Sequence, residues 1–123
     1  MQALTVGIFG VLGVFSRWGI DALFVRYGWA APLGTLTINT VGSFVAGAVF
    51  VLGSQREWVP QTIALAGLVG FCGGLTTFSA YALQSALLAE RGEWMLVISY
   101  LFLSPVFGLA AAVLGIWVAR ALA

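Results

Sequence analysis

The chain has 123 residues, 62% of them hydrophobic, and a formal net charge of +1 from five arginines and four carboxylates. With a mean hydropathy of +1.09, a soluble fold would leave far too much apolar surface in water, so the sequence reads as an integral membrane protein. It has no lysine, no histidine and one cysteine, Cys72, inside an apolar run, which argues against a disulfide framework, a clustered zinc site and redox chemistry; the small net charge gives no argument for a nucleic-acid partner.

Charged residues and prolines divide the chain into four apolar stretches, near residues 3–25, 33–53, 62–88 and 94–119. Each can cross a hydrocarbon core that takes about 20 helical residues. The expectation is an all-α integral membrane protein with four transmembrane helices in a single four-span domain, 1–123. The first span, opening MQALTVGIFGVLGVF, has no basic stretch ahead of its apolar run and no small-residue cleavage site, so it is read as a retained helix. Arg17 and Asp21, four apart toward the end of that span, share a face where they can pair or snorkel. Arg17 can equally guard a vestibule and attract anions. The connections, 26–32, 54–61 and 89–93, are short, and glycine and alanine recur on every span, as close helix packing in lipid requires.

The second span carries Thr35, Thr37, Asn39, Thr40 and Ser43. The third carries Thr76, Thr77, Ser79, Tyr81 and Gln84, and the fourth Ser99, Tyr100 and Ser104. All are uncharged. A cation pathway calls for carboxylate rings or organised carbonyls, and a proton-coupled exporter for a titratable group within the membrane. Neutral donors, with phenylalanine rings whose edges are partly positive, suit a small dehydrated anion better. Any single serine or threonine in a helix ordinarily bonds back to its own backbone.

In the third span, GFCGGLTTFSAYALQ (70–84) places two glycines and two threonines near mid-span. One reading is a helix unwound between Gly73 and Thr77, whose freed groups must be met by protein, water or an ion. Freed carbonyls favour a cation, and the N-terminus of the second half-helix favours negative charge. The other reading is a bent helix packed tightly on a neighbour through Gly73 and Gly74. Local composition fits both.

Topology leaves a similar choice. Arg56 and Arg120 fall on one side of the membrane, Arg26 and Arg91 on the other. Arginine and lysine bias ordinarily sets orientation, so this balance permits insertion both ways and an antiparallel homodimer. A single orientation fixed by other features fits equally.

GFCGGLTTFSAY, with PLGTLTINTVGSF and the SRW of the first span, resembles the Fluc (CrcB) family of bacterial fluoride channels over nearly the whole chain. The resemblance implies an antiparallel dual-topology homodimer in the bacterial cytoplasmic membrane, passive export of fluoride along two interface pathways, and a structural Na⁺ on the twofold axis. Residue by residue, it implies that backbone carbonyls of Gly73 and Thr76 hold the Na⁺ and that Asn39 donates its amide to fluoride. Phe78 matches one of two stacked rings facing the ion, Ser79 and Thr35 match a polar track, Tyr100 and Ser104 match the polar side of the fourth span, and Arg17 matches a vestibule arginine.

The chain also departs from that pattern. It reads TTFSAYA where the family usually reads TTFSTFS, so Ala80 replaces a polar-track threonine and Tyr81 the second phenylalanine. A phenol oxygen there could bind fluoride or plug the route. Gln84 stands where a glutamate is common, Gly108 and Ala112 where hydroxyls are common, and Pro105 adds a kink to the fourth span. Two alternatives stand beside the channel. A small dual-topology multidrug exporter needs a proton-linked glutamate in the first span, where there is none; a non-conducting structural subunit of the same fold needs only the packing.

Overall fold

The computed structural model describes residues 1–122, and all regular structure among them is helical. Helix α1 spans Gln2–Arg26, α2 Ala31–Gln55, α3 residues 61–75, α4 Phe78–Glu90 and α5 Trp94–Leu122. A 25-residue helix such as α1 is about 37 Å long, enough for a hydrocarbon core of about 30 Å. Helices α3 and α4 together make one span, Gln61–Glu90, so four segments can cross a bilayer and the protein is a multi-pass membrane protein.

Two connections are closed by glycine. Gly28 (φ +68°) and Gly92 (φ +73°) are left-handed residues just past α1 and α4, a backbone region costly to any side chain. Each turn is tied by a bond to the fifth residue back: Trp29 N–H to Phe24 O at 2.9 Å, and Glu93 N–H to Leu88 O at 3.0 Å. The turns therefore use up helix-end carbonyls that would otherwise face the membrane boundary unpaired.

The third span is where regularity fails. Helix α3 begins as α, widens to π-helix over Ala66–Cys72 and returns to α over Gly73–Leu75. Thr76 (φ −81°, ψ 156°) and Thr77 (φ −149°, ψ 117°) are then extended, which breaks the span at its middle before α4 begins. The glycines do not unwind. Gly73 keeps helical angles (φ −63°, ψ −37°), because losing a backbone hydrogen bond in hydrocarbon costs more than glycine's conformational entropy, and the break falls where another partner is available.

Gly74 packs instead, whereas Gly73 is exposed and meets no other helix. A side chain at Gly74 would strike the Gly10 carbonyl, and one at Gly13 would strike the carbonyl of Phe71 and the amide of Leu75. Helix α3 therefore lies against α1 at backbone distance. Both readings of the third span are realised, the break at Thr76 and Thr77 and the close packing through Gly74 but not Gly73. Helices α2 and α5 meet the same way, with Gly47 against the Ala112 carbonyl and Gly115 against that of Phe44. The enclosed centre is small, with Ile38, Val51 and Ala66 fully buried and Leu75 nearly so. Large apolar side chains such as Phe15, Trp18, Phe102 and Trp117 face outward, as they do when lipid is the solvent.

Gly13→Val should lower the thermal unfolding midpoint in detergent, with a cost of about 1–3 kcal/mol from overpacking. Gly7→Val, at a position with nothing within 4 Å, should leave the midpoint close to that of the parent.

Candidate functional site

The break is held by a side chain from another helix. Asn39, on α2, faces Thr77 with both halves of its amide: the Thr77 N–H donates to Asn39 Oδ1 at 2.8 Å, and Asn39 Nδ2 donates to the Thr77 carbonyl at 3.1 Å. This two-point pairing stands in for the backbone partners that an extended residue loses inside a membrane. Thr77 then caps α4, its Oγ1 accepting from the Ala80 N–H at 3.2 Å and lying 3.2 Å from Ser79 Oγ. Thr76 ends α3 by giving both its N–H (2.9 Å) and its hydroxyl (2.8 Å) to the Cys72 carbonyl.

This arrangement has a consequence for two other carbonyls. A continuous helix would give the Thr77 amide to the Gly73 carbonyl and the Ala80 amide to that of Thr76. Here both amides go to side-chain oxygens. Gly73 and Thr76 thus keep carbonyl oxygens without a helical donor. Hard, uncharged oxygens of this kind suit a cation of the alkali or alkaline-earth type. Among the described residues no cluster of His, Cys, Asp or Glu could hold a metal through side chains.

Beside the break is a cavity of about 360 Å³, whose lining includes Asn39, Ser43, Thr76, Phe78, Tyr81 and Ser104. Its hydrogen-bonding character is narrower than that lining suggests. Ser43 gives its proton to the Asn39 carbonyl at 2.7 Å, and Thr76 gives its own to Cys72. The Tyr81 hydroxyl donates to the Leu101 carbonyl at 3.0 Å. An asparagine amide carries two N–H donors and only one is spent on Thr77, so the second Asn39 N–H and the Ser104 hydroxyl remain to bind a guest. Both are neutral, and among the described residues no carboxylate borders the cavity. Phe78 stands at the outer wall, 78% exposed on the surface of the chain, its ring centroid 5.7 Å from that of Tyr81 with the planes tilted by 52°. The amide end of α4 adds a partial positive charge beside them. Neutral donors beside a helix N-terminus are chemically suited to a small anion that has shed its water.

Other residues marked by the sequence gather elsewhere. Thr35 and Tyr100 meet through Gln84, whose Nε2 donates to Thr35 Oγ1 at 2.9 Å while Oε1 accepts from the Tyr100 hydroxyl at 2.8 Å. The glutamine donates to one hydroxyl and accepts from the other, and so makes the link without placing a charge inside the span. The link ties α2, α4 and α5 at the edge of a second, mostly apolar cavity of about 500 Å³. Tyr81 connects the two regions, its ring packed edge-on against Tyr100 at 5.0 Å. Ser79 is exposed and bonds only to Thr77; Gly73 is also exposed, and Arg17 is half-buried on α1, outside both cavities. Sequence reasoning gave no role to Thr77, the pivot of the site, although a threonine directly ahead of an apolar helical run is an N-cap signal. It counted Ser43 only among the neutral donors, and Gln84 there and as a departure from the family pattern.

The architecture has relatives. The family model described as "CrcB-like protein, Camphor Resistance (CrcB)" matches residues 4–116. A protein of Bordetella petrii named "Fluoride-specific ion channel FluC" is 40% identical over 123 residues, covering 99% of this chain and 94% of the relative. Proteins of the same name from Paracoccus denitrificans (40% identical, 97% of this chain and 94% of the relative) and Magnetococcus marinus (36% identical, 98% of each) align over similar lengths. With the family model spanning most of its length and curated relatives matching it end to end, this chain belongs to the CrcB-like family.

Proposed function

We propose that the chain is a passive fluoride channel, a transporter and not an enzyme, as the names of its relatives imply. The single observation that carries the reading is the donor set beside the break: one free amide N–H on Asn39 and one hydroxyl on Ser104, with Phe78 alongside and no acid or base among them. Fluoride is small and strongly hydrated. A route through lipid must replace its water with donors, and negative groups would repel it.

In this reading the chain assembles as an antiparallel, dual-topology homodimer in the bacterial cytoplasmic membrane. The exposure of Phe78 supports it, because a cavity at the surface of one chain needs a second wall, and the even split of arginines permits opposite insertion. Two pathways then run along the subunit interface, and fluoride leaves the cytoplasm down its electrochemical gradient. Arg17 draws anions into the vestibule, Phe78 and Tyr81 face the ion with ring edges, and Ser79, Thr35, Tyr100 and Ser104 supply polar positions along the way. The carbonyls of Gly73 and Thr76, with the same pair from the second copy, hold a structural Na⁺. The ion supplies a fixed positive charge, which lowers the cost of a dehydrated anion nearby.

Liposomes containing the purified protein should release fluoride, read by a fluoride electrode, well above protein-free controls; equal rates would end the channel reading. Asn39→Asp keeps an acceptor for the Thr77 N–H, loses the donor to the Thr77 carbonyl and replaces the anion's amide donor with a negative charge, and should cut flux at least about tenfold with the oligomer intact on gel filtration. Replacing Na⁺ by N-methylglucamine throughout purification should lower the unfolding midpoint, with recovery on adding Na⁺ and none on adding choline. A midpoint indifferent to Na⁺ would remove the cation from the reading.

A further inference from the structure

Pro105 lies inside α5, where the residue at that position would normally donate its N–H to the carbonyl of Leu101, one turn earlier. Proline has no N–H, and its ring also crowds that carbonyl. In a bilayer the Leu101 oxygen cannot turn to water, so a neighbouring group has to meet it. The Tyr81 hydroxyl of α4 donates to it at 3.0 Å.

We propose that Tyr81 and Pro105 are a matched pair, the tyrosine hydroxyl replacing the backbone amide that the proline lacks, so that this hydroxyl places the ring in the wall of the cavity and is not itself an anion ligand. The pairing stands on the hydrogen bond alone; its effect on flux rests on the fluoride route proposed above. A phenol has a single proton. With that proton given to Leu101, the Tyr81 oxygen turns only lone pairs toward any guest, and an anion gains nothing from it. What the residue provides is placement. Its ring is fixed at one end by the Leu101 carbonyl and along its face by Tyr100, at 5.0 Å edge-on, and these hold it 5.7 Å from Phe78. The same bond joins α4 to the proline-bearing turn of α5 that carries Ser104, so the hydroxyl left free for a guest and the ring beside it are set by one contact.

The test is a cycle of Tyr81→Phe and Pro105→Ala in the full-length chain, read by unfolding midpoint in detergent and by fluoride efflux from liposomes. Tyr81→Phe alone leaves the Leu101 oxygen unpaired, so it should shift the folding equilibrium about tenfold toward the unfolded state and slow efflux. In the Pro105→Ala background residue 105 supplies its own amide, and adding Tyr81→Phe should change the midpoint and the efflux little. Incorporating 4-aminophenylalanine at position 81, which retains a donor, should restore the parent midpoint and rate without touching Pro105, and serves if the double variant fails to fold. Equal effects of Tyr81→Phe in both backgrounds, or no rescue by the amino group, would overturn the pairing. Should the parent pass no fluoride, the channel reading falls while the midpoints still decide the pairing.

Discussion

The fold depends on a requirement of hydrocarbon: every backbone N–H and C=O within it must have a partner. A span can break at its middle only if something else supplies what the helix no longer does. Here Asn39 does so, because an amide side chain is the one uncharged group that offers an acceptor and a donor in the spacing of a peptide bond. Its two bonds to Thr77 permit the two extended residues, and with them an α3 carbonyl end and an α4 amide end brought face to face. The glycine contacts between α1 and α3 serve the same end from the other side, fixing the segment that leads into the break.

Much of this was legible beforehand. Hydropathy placed all four spans to within three residues at each end, since length and apolarity are what a bilayer selects. The break was legible in kind and in place, since Thr76 and Thr77 lie inside the stretch from Gly73 to Thr77. Within that stretch the glycines, least committed to a helix in water, stay wound, because in lipid the backbone keeps its own bonds until a rescuing side chain is at hand. That side chain lies 38 residues away, and no local pattern announces it.

The polar inventory was over-read for a related reason. Thr37, Thr40, Ser43, Thr76 and Ser85 all return their protons to a carbonyl of their own span four residues back. To a guest they are nearly apolar. Thr35 and Tyr100 are occupied with Gln84, and the three form a tie between helices. A list of hydroxyls in a membrane sequence therefore overstates the donors available. Only the pairing, which needs coordinates, separates a spent proton from a free one, and it leaves Asn39 and Ser104 as the donors that matter beside the cavity.

That accounting bears on how a chain with so few charges can handle an ion at all. In an unbroken helix the electropositive end and the electronegative end sit at opposite faces of the membrane, some 40 Å apart for a span of this length. Breaking the span at its centre brings an end of each sign to mid-depth, next to one another, with no ionisable side chain inserted. The carbonyl end is suited to a cation and the amide end to an anion. On the proposed reading the two ions then offset each other's desolvation, which neither set of neutral donors would manage alone. An arginine or glutamate at the same depth would bring a charge of one sign only, along with a fixed counter-demand for solvation. The broken span thus relates the scarcity of charged residues in this sequence to the anion it is proposed to carry: the backbone itself provides the charge, in both signs, at the depth where side chains could not do so cheaply.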